Sequence, residues 1–311
     1  MSMLSRALSG TLVVAVLAAC ADPLTVENFN DPDRDRVLAR PSDVEVLIKG
    51  AYKTLFNGTY GTDGIQPSAR AMSWENASNL ANWGLGPRSA VPRAFIDNNR
   101  GNSYSGTNFA DWQNISRAIR AAADGVNKME GLSLGSAAAN ERAKAFGWFS
   151  LGAAMGFLSL VYDSAVIVNP HDDIALIPEF SSYGATNAAA LEALDSAITH
   201  TLAARNGTGG YGTATMYDDT WIAGTAYTAD NFIRLIRSYK AYFRANVART
   251  PAERAAVTWT AVRDDAAAGI TSDLTVRTDP TLGWDASTNQ WYLYQQWHQV
   301  NAVLAGMADT S

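Results

Sequence analysis

The chain has 311 residues, of which 47% are hydrophobic and 17% charged, and its formal net charge is −6 at neutral pH. This length is enough for one large domain or two modest ones with a substantial core. The sequence contains no basic run, which argues against a nucleic-acid partner. Charged residues are scarce while nine Trp and 12 Tyr are present, so we expect some aromatic surface suited to neutral polar ligands.

The first 20 residues have the features of an export signal. Arg6 is their only charge, and an apolar run from Leu12 to Cys20 ends in small residues. The run is too short to span a bilayer. Its last four residues, LAAC, resemble a bacterial lipobox, in which the cysteine is lipidated and the peptide is cut before it. Cys20 is the only cysteine and cannot form an internal disulfide, so we predict a signal peptide over residues 1–19 and lipid attachment at Cys20.

Acyl chains on Cys20 would hold the protein on a membrane without a transmembrane helix. Ala21, and not an aspartate, follows the cysteine, which favours the outer membrane, at the cell surface or on the periplasmic face. The alternatives are a generic cleaved signal with a chance cysteine, and a cysteine buried in a first helix. Residues 20–41 show little periodicity and are predicted to be a tether that leads to a single α-helical domain over residues 42–311.

Helical periodicity dominates this domain, and strand-like alternation is scarce, so we predict a mostly all-α fold. The first helix is predicted over residues 42–56, where Ser42 and Glu45 have capping-box spacing and Asn57-Gly58 supplies an end. A second apolar stripe runs from Phe109 to Met129. We expect the tryptophans on helical stripes to be core residues, namely Trp112, Trp148 and Trp259.

The segment from Ser136 to Tyr162 is apolar nearly all round in its second half and rich in Gly and Ala. This composition favours a central buried helix over a membrane span. Amphipathic helices are predicted over residues 187–204, with Leu191, Leu194, Ile198 and Leu202 on one face, and over residues 229–248. The sequence TPAE at Thr250 is typical of a helix start and predicts a helical hairpin close in length to a tetratricopeptide unit.

The order of these segments resembles the SusD/RagB family of bacterial outer-membrane nutrient-binding lipoproteins. The matching pieces, over about residues 17–270, are LAAC, IKGAYKTLF, DWQNISRAIRAAADGVNKME, ERAKAFGWFSLGAAMGFLSLVYDSAVIVNP and SYKAYFRANVARTPAERAAVTWTAVRDDA. Tyr162-Asp163-Ser164 stands where the family has a Tyr-Gly-Asp turn. The chain ends at Ser311, whereas family members are commonly longer, so we expect a reduced C-terminal part.

The resemblance implies a tetratricopeptide-like helical scaffold with long irregular insertions, anchored by lipid. Proteins of this family sit on a SusC-type TonB-dependent transporter and capture oligosaccharides or other polar nutrients for it. They have no catalytic residues, so the resemblance implies a binding protein that needs no cofactor. The alternative is a structural helical-repeat lipoprotein that scaffolds an envelope or surface assembly.

Carbohydrate recognition needs aromatic faces that stack on sugar rings, beside side chains that hydrogen-bond to hydroxyls. Two segments have this composition, RAMSWENASNLANWGLGPR and GWDASTNQWYLYQQWHQ. The first is irregular, so its aromatic residues suit ligand contact and loop packing equally; those of the second suit a buried helix face as well as a ligand platform. The predicted ligand-binding residues are Trp74, Asn76, Trp83, Arg88, Trp284, Trp291, Tyr294 and Trp297.

Enzyme motifs are missing from the sequence. His171, His200 and His298 are widely separated, with no HExxH pattern between them, and no GxSxG elbow occurs. The loop HDD at His171 has the composition of a solvated turn more than of a metal site. GTGGYGT, at residues 207–213, lacks the ending of a phosphate-binding loop and is predicted to be a flexible connector. We therefore predict a protein that is not an enzyme and holds no metal or cofactor.

Overall fold

The computed structural model describes residues 38–61, 64–77, 85–92, 97, 99–103, 105–173, 176, 178–284, 299–300 and 306. The predicted signal peptide, Cys20 and nearly all of the predicted tether lie outside these residues. The chain divides into two compact units, Met1–Ala39 and Arg40–Ser311. The helices and strands below all belong to the second unit.

The second unit is mostly helical over the described residues, which confirms the predicted fold class at that level. Its helices are α1 Pro41–Tyr60, α2 Ile65–Met72, α3 Leu85–Ser89, α4 Ser105–Lys128, α5 Ala137–Val161, α6 Tyr183–Asn206, α7 Ala229–Asn246, α8 Pro251–Ala256 and α9 Trp259–Ala267. Its strands form antiparallel pairs: β1 Asn76–Ala77 with β6 Gln299–Val300, β2 Ser164–Val166 with β3 Phe180–Ser182, and β4 Thr215–Ile222 with β5 Thr225–Thr228.

Helix α5 lies at the centre of the domain, as predicted. It begins after Ser136, whose side chain accepts a hydrogen bond from the amide of Ala139, and it packs against α1, α4, α6 and α7. Within the described part of the chain it is the one helix long and apolar enough to cross a membrane, yet 78% of its apolar window is buried inside the domain. Such burial is typical of a core helix. The interior of a folded domain and a lipid bilayer both favour apolar side chains, so the two kinds of helix have similar composition.

Close approach between α5 and α6 explains which side chains α6 buries. A Cβ atom on Gly152 would lie 2.8 Å from the carbonyl oxygen of Ala190 and 3.0 Å from the amide nitrogen of Leu194. The two backbones are therefore too close for large side chains between them. The fully buried positions of α6 are accordingly mostly small, while Leu191, Ile198 and Leu202, predicted for that face, are only partly buried.

Helix α1 differs from its prediction at both ends. It begins at Pro41, its N-cap is Arg40, and no side chain caps it, so the predicted capping box of Ser42 is wrong. At the other end it continues past Gly58 to Tyr60. A Cβ atom on Gly58 would lie 3.0 Å from side-chain atoms of α4, including those of Ile115. This glycine therefore permits a helix crossing and does not end the helix.

The predicted helical hairpin after α7 starts as expected but is interrupted. Thr250 and Glu253 form the predicted capping box at the start of α8. Helix α8 ends at Ala256, because Val257 is extended, and the chain resumes as α9, which packs on α7. Buried Asp265 of α9 accepts hydrogen bonds from two arginines of α7, from Arg237 Nη1 at 2.6 Å and from Arg244 Nε at 2.9 Å.

A β-hairpin between α6 and α7 was not predicted. Its turn contains Gly224, whose φ of +90° favours glycine. Tyr217 and Trp221 of β4 pack their rings 5.3 and 4.8 Å from that of Phe146 in α5. Irregular register along the β4–β5 pair removes the simple alternation by which a strand is recognised in sequence.

The three tryptophans predicted to be core residues are less buried than expected. Trp112 and Trp148 are half-buried. The prediction is wrong for Trp259, which is 49% exposed and donates its indole N–H to the carbonyl of Arg254 at 3.2 Å. Trp259 is the first residue of the short helix α9, where the interruption after α8 turns it away from the packed face.

Candidate functional site

Residues 275–284, which we call the strap, fold back over the first half of the domain. One end of the strap is held to the β4–β5 hairpin. Thr225 Oγ1 donates to the carbonyl of Thr275 at 2.7 Å, and the amide of Arg277 donates to the carbonyl of Ala223 at 2.8 Å. These bonds use the backbone of the strap, so they leave the side chain of Arg277 available.

The other end of the strap lies on α1. Lys53 Nζ donates to the carbonyl of Leu282 at 3.0 Å, and Asn57 Nδ2 donates to that of Gly283 at 2.9 Å. Trp284 then enters the core, where it is 4% exposed and its ring lies 5.4 Å from that of Phe56. The strap is therefore fastened at both ends, to the hairpin and to the first helix.

A cavity of about 410 Å³ lies between the strap, α1 and the β4–β5 hairpin, and we call it the strap cavity. This volume is within the range of small-molecule sites. Its described lining has three cationic side chains and one anionic one, together with a hydroxyl and an aromatic ring. The lining residues are Val46, Lys49, Gly50, Lys53, Asp219, Thr220, Ala223, Arg277, Leu282 and Trp284.

Side-chain hydrogen bonds order the polar wall that the hairpin contributes to the cavity. Lys49 donates to the hydroxyl of Thr220 and lies 5.9 Å from the ring centroid of Trp221. The Thr220 hydroxyl and amide both donate to Asp218. These hydrogen bonds, assisted by the charge of Lys49, lower the pKa of Asp218 below its ordinary value. The hairpin therefore presents Thr220 to the cavity in a defined orientation, beside Lys49 of α1.

The loop half of the predicted ligand site is spread over three environments. Trp74 follows α2, is half-buried and has an unusual φ of +63°. Asn76 lies in β1, but its side chain is outside the described residues, as is all of Trp83. Arg88, at the end of α3, is 7% exposed. Its burial indicates structural packing more than ligand contact.

The charge of Arg88 acts on a buried carboxylate. The hydroxyl of Tyr162 donates to Asp111 Oδ1 at 2.7 Å, and the amide of Trp112 donates to the same oxygen at 2.7 Å. Burial raises the pKa of Asp111, while these two hydrogen bonds and the positive charge of Arg88 oppose the rise. Arg88 therefore stabilises the charged form of Asp111 against the cost of its burial.

The C-terminal half of the predicted site is described only at its two ends. Trp284 has most of its ring in the core and one edge on the strap cavity. Trp291, Tyr294 and Trp297 lie outside the described residues. Strand β6 follows them and pairs with β1, with Asn76 opposite Val300 and Ala77 opposite Gln299. This pairing brings together the two segments that the sequence indicates separately.

A second cavity, of about 510 Å³, lies between α6, α7 and α8. Two of its lining side chains bind one another, since Tyr183 donates to Glu253. Beside the cavity, the guanidinium of Arg249 stacks 4.0 Å from the ring centroid of Tyr183. The hydrogen bond from Tyr183 is the main reason why the pKa of Glu253 falls to about 2. Arg249 also donates to the carbonyls of Ser159 and Tyr162, at 3.1 and 2.8 Å. The contacts of Tyr183, Arg249 and Glu253 therefore hold the ends of α5, α6 and α8 together.

Metal-binding chemistry is not assembled in the described part of the chain, where no group of three or more His, Cys, Asp or Glu side chains could hold an ion. His171, from the HDD loop, has its Nε2 3.4 Å from Glu130 Oε1 and its Nδ1 3.2 Å from Asn127 Nδ2. These contacts fasten the loop to the end of α4.

Sequence reasoning missed the cations of the strap cavity. Lys49, Gly50 and Lys53 lie within the IKGAYKTLF segment, where they occupy the polar edge of a helix predicted for its apolar stripe. The two lysines are four residues apart and therefore share one face of the helix, and this spacing was the only sign in the sequence of a cationic site. Nothing in the sequence marks Arg277 as part of that site, because it lies in an irregular segment far along the chain.

A comparison with models of known protein families gives no match, and a comparison with curated proteins gives none either. The strap cavity and the β1–β6 junction therefore carry the functional proposal.

Proposed function

We propose that this protein is a lipid-anchored, non-catalytic binding protein of the SusD/RagB type in the outer membrane. It captures an oligosaccharide or another polar nutrient and presents it to a SusC-type TonB-dependent transporter. The observation that carries the proposal is the β1–β6 pairing, which places Asn76–Ala77 of the first aromatic and amide-rich segment beside Gln299–Val300, where the second segment ends. Sugars are bound by such combinations of aromatic rings and hydrogen-bonding side chains.

The architecture supports the same assignment. A mostly helical core in the described part of the chain agrees with a helical scaffold. In this proposal, the packed pairs α5–α6 and α7–α9 are the tetratricopeptide-like part of the scaffold. The strap cavity supplies a concave site of ligand size beside Trp284. Cys20 holds the domain on the membrane through its lipid.

The lining of the strap cavity suits binding more than glycoside cleavage. Cleavage needs two carboxyl groups on either side of one bond. The described lining contains one carboxylate, Asp219, and two of its cations, Lys49 and Lys53, donate to fixed protein acceptors. A ligand held there would meet donors and an aromatic edge, with no acid and base placed to act together.

The experiment that tests the proposal is a pull-down of the natively expressed protein from mild-detergent membranes, analysed by mass spectrometry. We expect a TonB-dependent β-barrel as the dominant partner. The matched control is Cys20→Ser, which we expect to leave the membrane fraction and to lose incorporation of labelled palmitate. Absence of the barrel, together with no binding to broad glycan and peptide panels, would contradict the proposal.

The second candidate is a structural lipoprotein that scaffolds an envelope assembly. It is favoured by apolar side chains on the surface: Phe180 is 66% exposed with its ring 6.0 Å from that of half-buried Trp112, and Phe109, three residues before Trp112, is 54% exposed. Exposed aromatic residues grouped in this way suit contact with another protein. If the pull-down recovers only copies of this chain, the scaffold replaces the binding protein as our proposal.

A further inference from the structure

We propose that the strap cavity binds an anionic group of the ligand, so that the captured nutrient is an acidic oligosaccharide bearing carboxylate or sulfate groups. This inference rests on the proposed function for the sugar part of the ligand. The anionic part rests on the charges that line the cavity.

The cavity is cationic in a chain with an excess of acidic residues. Lys49, Lys53 and Arg277 face a single lining carboxylate, that of Asp219, while the whole chain has a formal net charge of −6. Walls of low dielectric constant focus such a local charge and raise the concentration of counter-ions within a cleft. An anion is therefore attracted to this point although the protein as a whole repels it.

These three cations differ from half of the basic residues in the described domain, because none of the three forms a salt bridge there. Lys49 and Lys53 donate to the neutral oxygens of Thr220 and Leu282. Salt bridges instead hold the following basic residues: Arg70, Arg120, Arg142, Lys144, Arg205, Arg237, Lys240, Arg244, Arg249 and Arg263. The charge of Lys49 is partly balanced by Asp218, which binds the same Thr220 hydroxyl. The positive charges of Lys53 and Arg277 remain available to a ligand.

The geometry leaves room for an anion between the cations. Lys49 and Lys53 are one helical turn apart on α1, and Arg277 approaches from the strap. Between the two lysines, a Cβ atom on Gly50 would meet no atom within 4 Å. Glycine inside a helix is destabilising relative to alanine, and here it keeps the cavity wall open. Arg277 can then bind a carboxylate or sulfate with two parallel hydrogen bonds.

The sugar-binding side of the cavity is supplied by neighbouring groups. Thr220 and Asp219 can hydrogen-bond to sugar hydroxyls, and the edge of Trp284 offers apolar surface. The turn at Gly283, with φ of +75°, brings the strap over Lys53 and places this aromatic edge beside the cations. An acidic sugar would therefore find both an anion site and a ring contact within one cavity.

The test measures binding of acidic oligosaccharides by isothermal titration calorimetry. The probes are oligogalacturonate, oligoalginate and chondroitin sulfate oligosaccharides, each paired with its neutral form, methyl-esterified or desulfated and carboxyl-reduced. We expect at least one acidic probe to bind about tenfold or more tightly than its neutral partner, because a hydrogen bond to a charged group contributes that much to affinity. We also expect affinity to fall as salt is added.

Variants locate the site. Arg277→Gln should weaken binding of the acidic probe about tenfold without unfolding the protein, because the strap contact at this position uses the backbone amide. Lys53→Gln should act in the same direction, and Gly50→Leu should fill the cavity and abolish binding. The matched control is Arg263→Gln, which removes one positive charge from an exposed position on α9, outside the cavity, and should change nothing.

The outcomes separate this inference from the proposed function. Equal binding of acidic and neutral probes, with Arg277→Gln unchanged, overturns the anionic site and leaves a sugar-binding protein. Binding of an acidic probe that is unaffected by Arg277→Gln and Lys53→Gln also overturns it, because the anion then binds elsewhere. If no oligosaccharide binds in either form and no transporter is recovered in the pull-down, both proposals fail.

Discussion

The hydroxyl oxygens of Tyr52 in α1 and Tyr239 in α7 lie 2.9 Å apart in the core, in a hydrogen bond between residues 187 positions apart in sequence. Burial raises the pKa of both hydroxyls well above the ordinary value, so both are neutral at pH 7. This bond joins the first described helix to the helix that carries the arginine contacts of α9.

We predict that Tyr52→Phe lowers the free energy of unfolding by about 1–3 kcal/mol, because it leaves the hydroxyl of Tyr239 buried without its partner. Tyr239→Phe should cost a similar amount. The double variant should cost less than the sum of the two, since it removes both polar groups together. Urea denaturation of the natural chain, the two single variants and the double variant measures the coupling energy between the two hydroxyls. Strictly additive losses of stability would contradict the prediction.

Two glycines in helices should respond to alanine in opposite directions. Gly152→Ala places a methyl group against the backbone of α6 and should cost about 1–3 kcal/mol through overpacking. Gly50→Ala adds a methyl group where nothing lies within 4 Å and should stabilise the protein by about 0.5–1 kcal/mol. Each variant is the control for the other when thermal unfolding is measured. A loss of stability in Gly50→Ala would contradict the prediction, because the added methyl group would then be meeting other atoms at the cavity wall.

Two buried serines of α5 form a second matched pair. Ser150 Oγ is buried and has no hydrogen-bond partner among the described residues, so Ser150→Ala should stabilise the protein by about 1 kcal/mol. Ser159 donates to the carbonyl of Gly156 at 2.6 Å and accepts from Asn187 at 3.0 Å. Ser159→Ala should destabilise it by about 1–3 kcal/mol. Equal effects of the two substitutions in urea denaturation would contradict this assignment.

Glu253 makes the stability of the α6–α8 contact depend on pH. The hydrogen bond from Tyr183, followed by those from the amides of Arg249 and Thr250, lowers the pKa of Glu253 from 4.5 to about 2. A carboxylate with a depressed pKa contributes stability that is full above the unfolded pKa and is lost as the pH falls through the folded one. Glu253→Gln should therefore unfold at a lower temperature than the natural chain at pH 7.

The difference between the two proteins should shrink as the pH falls from 4.5 towards 2, where Glu253 becomes protonated in the folded state as well. Thermal unfolding followed by circular dichroism across this range measures it. Glu192→Gln, at an exposed position on α6, is the control and should show no such trend. A difference that stays constant with pH would mean that Glu253 acts through packing and not through its charge.

Several elements could be predicted because their causes are local. Thr250 and Glu253 are three residues apart, so their capping box needs no contact with a distant part of the chain. The all-round apolar surface of α5 likewise predicts burial without knowledge of its neighbours. The continuation of α1 past Gly58 to Tyr60 could not be predicted, because a glycine at a helix crossing and one at a helix end look alike in sequence.

The candidate site was indicated only in part. The two aromatic segments stand out by composition, yet their meeting depends on the β1–β6 pairing, in which each strand has two residues. The cations of the strap cavity do not stand out, because Lys49 and Lys53 look like the solvated edge of an amphipathic helix. Their role depends on Arg277, which only the fold of the strap brings opposite them.

The sequence by itself indicated the long helices α1, α4, α5, α6 and α7 and the identity of the central one, because apolar periodicity and end-capping act over a few residues. Only the tertiary structure decided which charges share a cavity. Lys53 and Leu282 are 229 positions apart, and their hydrogen bond closes the strap over α1. A contact of that range leaves no periodic trace in the chain, since it is selected by the shape and polarity of two surfaces that meet only after the helices have packed.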